Sequence, residues 1–474
     1  MDSIGKINWG SPLRKWAATA PSPLSSQPKV AVLILEDPLG RAGNKQSHFD
    51  SRRYLGLNIV LDVLRRAYDV QIDYTSVGTI NEYDIVMVSL TATPDVFNFV
   101  YTMEKYDIEV TRPKIIVGGA GVLNIRPYLR YGDYFVFGRG EVPIIDIFEH
   151  LINGAPKKNG SVFIKGESDF NQVGGFTLAQ VDDPYPFEVN GLGESMLGCP
   201  KKCFYCGYTY HRKPQKSVYV YRDDEFVSAS EMTIREVIPE IKNGSRVITS
   251  IDGSSARLRS AMLKAMTDDE YRDVIRAIPK VEADSVFLKI FNICGYPTET
   301  EEERFEPFEV LSPVANDLAN STTIVYQMNP FIPMALTPAQ YLPADVGTDY
   351  RDWYTRYVPK VHNGKWVVET GRLRVGYGPA INTNLGLLKR VLIHRGMERD
   401  TVLLKNIVFN KKLRRMKASD AARALLSLPD MERFYRQYEI GEPMPFDYLR
   451  SYSSKKAIDN LARRLHRDLG IGGG

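Results

Sequence analysis

Residues 28–152 repeat one pattern, a short apolar run followed by a stretch with apolar residues at helical spacing. Val30–Leu35, Val70–Tyr74, Ile85–Leu90, Lys114–Val117 and Tyr134–Phe137 read as strands, and Tyr54–Tyr68, Pro94–Lys105, Ile125–Tyr131 and Val142–Ile152 as the helices between them. A run such as Val30-Ala-Val-Leu-Ile-Leu35 lacks polar alternation, which suits a strand covered on both faces. Strands alternating with helices build a parallel, doubly wound sheet. Residues 28–155 are therefore expected to form a Rossmann-like α/β domain. Residues 1–27, rich in Pro, Ser, Gly and Ala, read as a flexible arm, and residues 156–190, punctuated by Gly160, Gly174, Gly175 and Pro186, as a linker.

The strand ends of this domain run into small residues: Ser89-Leu-Thr91, Gly118-Gly119-Ala-Gly121 and Gly138-Arg-Gly140-Glu141. Glycines at the carboxyl edge of a parallel sheet let a bulky ligand approach the backbone. These strand ends hold eight residues of interest, Ser89, Thr91, Gly118, Gly119, Gly121, Gly138, Gly140 and Glu141, of which the glycines are the ones that leave room for such a ligand.

Further along, three of the four cysteines fall within eight residues, Cys199-Pro-Lys-Lys-Cys203-Phe-Tyr-Cys206. No run of eighteen apolar residues and no apolar signal core occurs, so the chain is expected to be cytoplasmic and not membrane-bound. In a reducing compartment such thiols bind metal or an iron–sulfur cluster more readily than they pair as disulfides. Three ligands on a four-iron cluster leave one iron open to a substrate or cofactor. The alternative is a structural zinc with His211 as fourth ligand, although the sequence has no second ligand couple of the usual zinc modules. Cys294 alone remains for other duties, too few for an auxiliary cluster.

C-x3-C-x2-C with an aromatic residue, Tyr205, before the last cysteine resembles the radical S-adenosylmethionine (SAM) superfamily. Three further segments carry the resemblance. Ser250-Ile-Asp-Gly-Ser-Ser-Ala-Arg-Leu-Arg259 is similar to a Gly-Ser-x-Arg-Leu-Arg segment, and Gly295-Tyr-Pro-Thr-Glu-Thr300 to a Gly-Leu-Pro-x-Glu-Thr turn. Phe331-Ile-Pro-Met-Ala-Leu-Thr-Pro-Ala-Gln340 is similar to a strand with Met334 where lysine is usual. The glycine loops upstream resemble the cobalamin-binding domain found ahead of the radical-SAM motif in one branch.

Over residues 28–345 the resemblance implies a cobalamin-dependent radical-SAM enzyme. Cys199, Cys203 and Cys206 would hold one 4Fe–4S cluster. Tyr205, Asp252, Gly253, Ser254, Ser255, Arg257, Gly295 and Pro297 would line the SAM site, and the eight loop residues above would contact cobalamin. The implied reaction cleaves SAM to a 5′-deoxyadenosyl radical and, in the commonest branch, methylates an unactivated carbon of a small-molecule substrate. An electron donor such as flavodoxin or ferredoxin is implied as partner. Isomerisation, cyclisation or oxidation without methyl transfer, and modification of nucleic acid, are the alternatives. The sequence departs from the pattern in having Glu36-Asp-Pro-Leu-Gly40 where the methionine-synthase type carries a cobalt-ligating histidine, and in lacking a Gly-Gly-Glu motif. About 40 residues separate Cys206 from Ser250, room for one helix only, so the (β/α) barrel expected over residues 191–345 is partial and shortened.

Residues 346–474 are expected to form an aromatic and basic domain, mainly helical, with helices near Asn382–His394, Lys417–Leu428, Asp430–Tyr438 and Lys455–Leu469. The net charge of +4 hides an asymmetry, since residues 381–474 hold 19 Lys and Arg against 10 Asp and Glu. A basic end of this kind suits either a solvated helical surface or an anionic partner such as nucleic acid.

Overall fold

The computed structural model describes residues 27–36, 55–105, 113–155, 160–183, 185–189, 199, 201–213, 220–223, 226–229, 245–264, 267–277, 286–315, 322–350, 353, 361–362, 365–366, 373–376 and 384–471. Phe187–Met196, a stretch that reads as a strand leading into the cysteine loop, lies outside them from residue 190 onward, and so does Ser230–Lys242, which reads as a helix. The chain divides into two compact units. One comprises residues 1–194, 392–417 and 443–454, the other residues 195–391, 418–442 and 455–474.

The first unit follows the expected alternation closely: β1 (Val30–Leu33), α1 (Leu55–Tyr68), β2 (Ile72–Thr75), β3 (Ile85–Ser89), α2 (Thr93–Lys105), β4 (Lys114–Gly118), β5 (Tyr134–Val136) and α3 (Glu141–Asn153). The strands line up as β2-β1-β3-β4-β5, all parallel. The expected helix at 125–131 is a tight 3-10 turn, Arg126–Tyr131, with Pro127 in its first turn. One face of the sheet is sealed by Leu61 and Leu64 of α1 and Ile144, Ile147 and Phe148 of α3 against Val30, Val32, Ile116 and Val136.

The stretch read as a linker contributes structure of its own. Val162–Ile164 forms β6, antiparallel to β5 at the sheet edge and buried at all three residues. Phe176–Thr177, β7, pairs in parallel with Leu449–Arg450 from far along the chain. An apolar triplet between glycine-rich turns is too short to show a period, which is why the sequence reads as connector there.

The second unit holds α4 (Gly207–Tyr210), β8 (Val220–Asp223), β9 (Phe226–Ala229), β10 (Ser245–Ser250), α5 (Ala256–Ala261), α6 (Asp268–Ala277), β11 (Val286–Cys294), α7 (Glu301–Ala315), β12 (Thr322–Pro330), the hairpin β13 (Val361–His362) and β14 (Lys365–Trp366), and β15 (Leu373–Gly376). Its large sheet runs β15-β12-β11-β10-β9-β8, parallel from β15 to β9, with β8 antiparallel. Among the described residues the sheet is open, with β15 and β8 at its ends. The short interval after Cys206 accommodates the β8–β9 hairpin.

The separate domain expected over 346–474 is replaced by an interleaved arrangement. Residues 392–417 and 443–454 belong to the first unit, and 418–442 and 455–474 to the second. The basic segments Lys411–Arg415 and Lys455–Asp468 thus lie in different units. Thr401–Phe409, a helix the sequence reading missed, buries Leu403, Leu404, Ile407 and Val408.

Candidate active site

The second unit's site starts where α5 stops. The sequence suggests a helix running on to Met266, yet it ends at Ala261 because Leu263 takes a left-handed φ of 56°. The Leu263 N–H donates to the Ser260 carbonyl at 3.1 Å and the Lys264 N–H to the Arg259 carbonyl at 2.8 Å, the bond pair of a Schellman turn. Helix ends leave carbonyls without intrahelical donors. Here the cysteine loop supplies them: the Phe204 N–H donates to the Met262 carbonyl at 3.1 Å, and the Cys203 thiol faces the Leu263 carbonyl at 3.8 Å.

On its other side the loop is held by the Ala339 N–H, which donates to the Phe204 carbonyl at 3.1 Å. Phe204 is fully buried in a cluster with Leu258, Met262, Tyr296, Phe331, Leu342 and Leu465. Gly207 leaves no room for a side chain, since a Cβ there would meet Met334 Sδ at 2.6 Å. The Met334 that replaces the usual lysine thus packs against the end of the cysteine loop.

Asp252, at the end of β10, is the polar centre. Its carboxylate accepts from Tyr205 Oη at 2.9 Å and from Lys264 Nζ at 2.7 Å, and Lys264 also donates to Ser250 Oγ at 2.9 Å. The Lys264 side chain is 4% exposed and that of Asp252 14%, so the pair is desolvated and each partner needs the other. Next to it the Gly253 N–H donates to Asn292 Oδ1 at 2.8 Å, and Asn292 Nδ2 donates to Ser254 Oγ at 3.3 Å. Arg259, 2% exposed, donates to the Gly253 carbonyl at 3.0 Å and pairs with Asp268. The Tyr296 hydroxyl reaches the Asp252 carbonyl at 3.4 Å.

Gly295, with φ of 78°, is the turn at the end of β11, where the Tyr350 hydroxyl fills the space a Cβ would need. Its N–H donates to Glu299 Oε2 at 2.6 Å, and Arg304 Nε donates to the same oxygen at 3.0 Å. Burial pushes the Glu299 carboxyl up, against the lowering effect of these donors. Pro297 sits half-buried in this turn.

The structure thus gathers Tyr205, Asp252, Gly253 and Ser254 beside the cysteine loop, with Gly295 and Pro297 next to Tyr296. Arg257 and Ser255 face elsewhere. Arg257 makes a bidentate pair with Glu303, at 2.7 and 2.8 Å, and Ser255 Oγ caps α5 at the Leu258 N–H while donating to Glu303 at 2.7 Å. Both join α5 to α7. Lys264, Asn292, Arg259 and Glu299 carry the site's polar framework without having been singled out, although Arg259 and Glu299 stood inside motifs that could have marked them.

None of Cys199, Cys203, Cys206 and Cys294 is in a disulfide. Among the described residues no group of three or more His, Cys, Asp or Glu side chains converges in ligand geometry. The residue types suit an iron–sulfur cluster, three thiols and no disulfide on one loop. Burial pushes the Cys206 thiol up, against the lowering effect of the Tyr208 and Thr209 N–H donors. His211 Nε2 lies 2.8 Å from the Ala335 carbonyl, which can only accept, so that nitrogen carries the proton and Nδ1 keeps the lone pair. Burial lowers its pKa to about 4.

In the first unit the candidate cobalamin residues do sit at the carboxyl ends of β3, β4 and β5, with Ser89 opposite Gly118. The space beside most of the glycines, however, is taken by the chain. A Cβ on Gly119 would meet the Leu90 carbonyl at 2.5 Å, on Gly121 the same oxygen at 2.9 Å, on Gly138 the Ala179 backbone at 2.6 Å and on Gly140 Val60 Cγ2 at 2.7 Å. The N–H groups of Thr91 and Ala92 are held by the Asp95 carboxylate, and Glu141 pairs with Arg139. The packing of the loops on one another thus accounts for these glycines. Residues 37–54, after β1, lie outside the described residues.

No family model matches the sequence, and no curated protein matches it. Among solved structures, the cobalamin-dependent S-adenosylmethionine radical enzyme OxsB with aqua-cobalamin bound is similar at a TM-score of 0.30 and 12% identity, over 94% of this chain and 62% of that one. Its form with aqua-cobalamin and S-adenosylmethionine gives 0.30 and 11% over the same shares, and its apo, selenomethionine-labelled form 0.28 and 13% over 87% and 64%. The chain spans less than two thirds of the length of these structures, and a likeness of this size carries no argument about chemistry.

Proposed function

We propose that the chain is a radical-SAM enzyme with one 4Fe–4S cluster on Cys199, Cys203 and Cys206. The observation that carries this reading is the C-x3-C-x2-C loop anchored to the carboxyl end of a parallel sheet, the Phe204 N–H on the Met262 carbonyl and Tyr205 on Asp252. Active groups of α/β proteins gather at that edge. When bound, the cluster supplies the electron that splits SAM into methionine and a 5′-deoxyadenosyl radical able to take hydrogen from a substrate carbon. The chain's own residues hold and shield. Tyr205 and Lys264 fix the Asp252 carboxylate, the Asn292 amide fixes Gly253, and Phe204, Tyr296 and Phe331 keep water from the loop's inner side. Asp252 with Gly253 would take the amino group that a Gly-Gly-Glu motif takes in the superfamily, with Tyr205 and Lys264 already on the Asp252 carboxylate.

Anaerobically purified protein is expected to contain iron and sulfide and to release 5′-deoxyadenosine from SAM under reduction. Cys→Ala at position 199, 203 or 206 is expected to abolish both. Unchanged iron in the triple variant, or zinc in its place, overturns the reading.

Methyl transfer through cobalamin is the finer form, supported by the resemblance of residues 28–152 and the parallel order β2-β1-β3-β4-β5. The occupied glycine positions favour a second form, isomerisation, cyclisation or oxidation without cobalamin. An absorption spectrum after incubation with hydroxocobalamin and desalting separates them, since retained corrin bands support methyl transfer and their absence supports the second. A small-molecule substrate and a flavodoxin- or ferredoxin-type donor accompany either form. Among the described residues no helix is long and apolar enough to cross a membrane.

A further inference from the structure

Parallel register puts Ser250, Phe291 and Gln327 in one row across β10, β11 and β12, so their side chains share a face of the sheet. The next row, Thr249, Ile290 and Tyr326, points the other way and is buried, with Tyr326 meeting Phe308 of α7 at 5.4 Å between ring centroids. The first face is different. Ser250, Lys289, Phe291, Ile293 and Asn329 on it are only partly buried, Val325 and Gln327 between them are 8% exposed, and no helix among the described residues is seen to seal it as α7 seals its opposite.

Two contacts tie this face to the cysteine loop. Lys264 joins Ser250 to the Asp252 carboxylate that Tyr205 also holds. Ile293 packs against the cluster containing Phe204, Tyr296 and Phe331. The loop therefore stands over the carboxyl end of the face, and Lys289 lies two residues back along β11 from Phe291, roughly 6–7 Å deeper.

Lys289 is an unusual residue to find there. Its ammonium lies 4.8 Å from the Phe291 ring centroid, and among the described residues it has no carboxylate partner. Burial lowers its pKa. A half-buried cation without a counter-charge gains most from an incoming anion. Across the strand, Gln327 Nε2 donates to Asn329 Oδ1 at 3.4 Å and Asn329 Nδ2 to the Asn292 carbonyl at 3.4 Å, long bonds that leave amide hydrogens for a ligand.

We propose that this face is a substrate-binding surface for an anionic group, a carboxylate or a phosphate, with Lys289 as its cation and Gln327 and Asn329 as hydrogen-bonding neighbours. The proposal deepens the radical-SAM reading, on which it rests for the identity of the chemistry above the face. The anion would hold one end of the substrate deep while a carbon is presented at the cysteine loop.

The test is competitive acylation of the full-length protein with limiting acetic anhydride, read lysine by lysine by mass spectrometry, with inorganic phosphate or glutarate as the probe. Lys289 is expected to be protected by one or both probes, the two arms showing which anion the face takes, while exposed Lys456 is not protected. Calorimetric titration with the protecting probe is expected to show binding weakened about tenfold in both Lys289→Met and Gln327→Leu. Equal labelling with and without both probes, or equal protection of Lys289 and Lys456, overturns the proposal. Iron is measured on the same preparations. Protection without iron overturns the cluster reading alone, and iron without protection overturns the anion site alone.

Discussion

Glu303 takes up two residues, Arg257 and Ser255, that were expected at a ligand. It closes a capping box with Thr300 at the start of α7, accepting from the Thr300 N–H at 2.9 Å while its own N–H donates to Thr300 Oγ1 at 3.2 Å. The same carboxylate takes the Arg257 fork and the Ser255 hydroxyl. Burial raises its pKa, but the Arg257, Thr300 and Ser255 bonds outweigh that and hold it down at about 2, below the ordinary 4.5. A carboxyl held below its unfolded value contributes stability that is complete above about pH 4.5 and is lost as pH falls toward 2. Glu303→Gln is therefore expected to destabilise the protein by about 1–3 kcal/mol at neutral pH. The gap from wild type should narrow between pH 5 and 3 in urea titrations. A gap independent of pH would show that shape, and not charge, is what Glu303 contributes. Arg257 and Ser255 were expected at a SAM site, and so at its carboxylate, through the resemblance of Ser250–Arg259 to a family segment. The carboxylate they found belongs to the protein.

Among elements, the end of α5 matters most. Its left-handed Leu263 stops the helix one turn early, exposes two carbonyls to the cysteine loop and turns Lys264 back onto β10. No glycine or proline marks that stop, so residues 256–266 read as continuous helix. Lys264→Met removes the cation from a desolvated pair and is expected to cost about 3–5 kcal/mol. Adding Asp252→Asn should recover part of that loss, because the stranded charge is then gone. Chemical denaturation of the single and double variants measures it, and simple additivity would mean the two side chains do not act as a pair. The apolar periods and turn residues of the first unit fared better, with every expected strand of residues 30–137 present within two residues of its ends. Local signals suffice there because each element buries its own apolar face against a neighbour close in sequence. β6 escaped notice because three residues carry no period.

At the scale of the molecule, the last third of the chain completes both units instead of forming one of its own. The helix Lys455–Asp468 and the residues after it send Leu465 and Leu469 into the cluster that buries Phe204 of the cysteine loop, and Tyr341 donates to Asp459 at 2.6 Å. Truncation after Ser454 is expected to open that cluster and reduce iron loading in parallel with stability, as read by iron content and limited proteolysis. A truncated chain with full iron and unchanged protease resistance would detach the helix from the site. The net positive charge of residues 381–474 is accordingly divided between two units.

By itself the sequence determined the parallel α/β character, the strand order's raw material and the cysteine loop, since these depend on periodicity and on residue types adjacent in the chain. Only the tertiary structure decided the rest. It showed Asp252, Lys264 and Tyr205 meeting, Arg257 turned to Glu303, glycines closed by the protein's own backbone, and a terminal third shared between two cores. Such facts depend on which residues distant in sequence compete for the same space and charge, and no local pattern encodes the outcome of that competition.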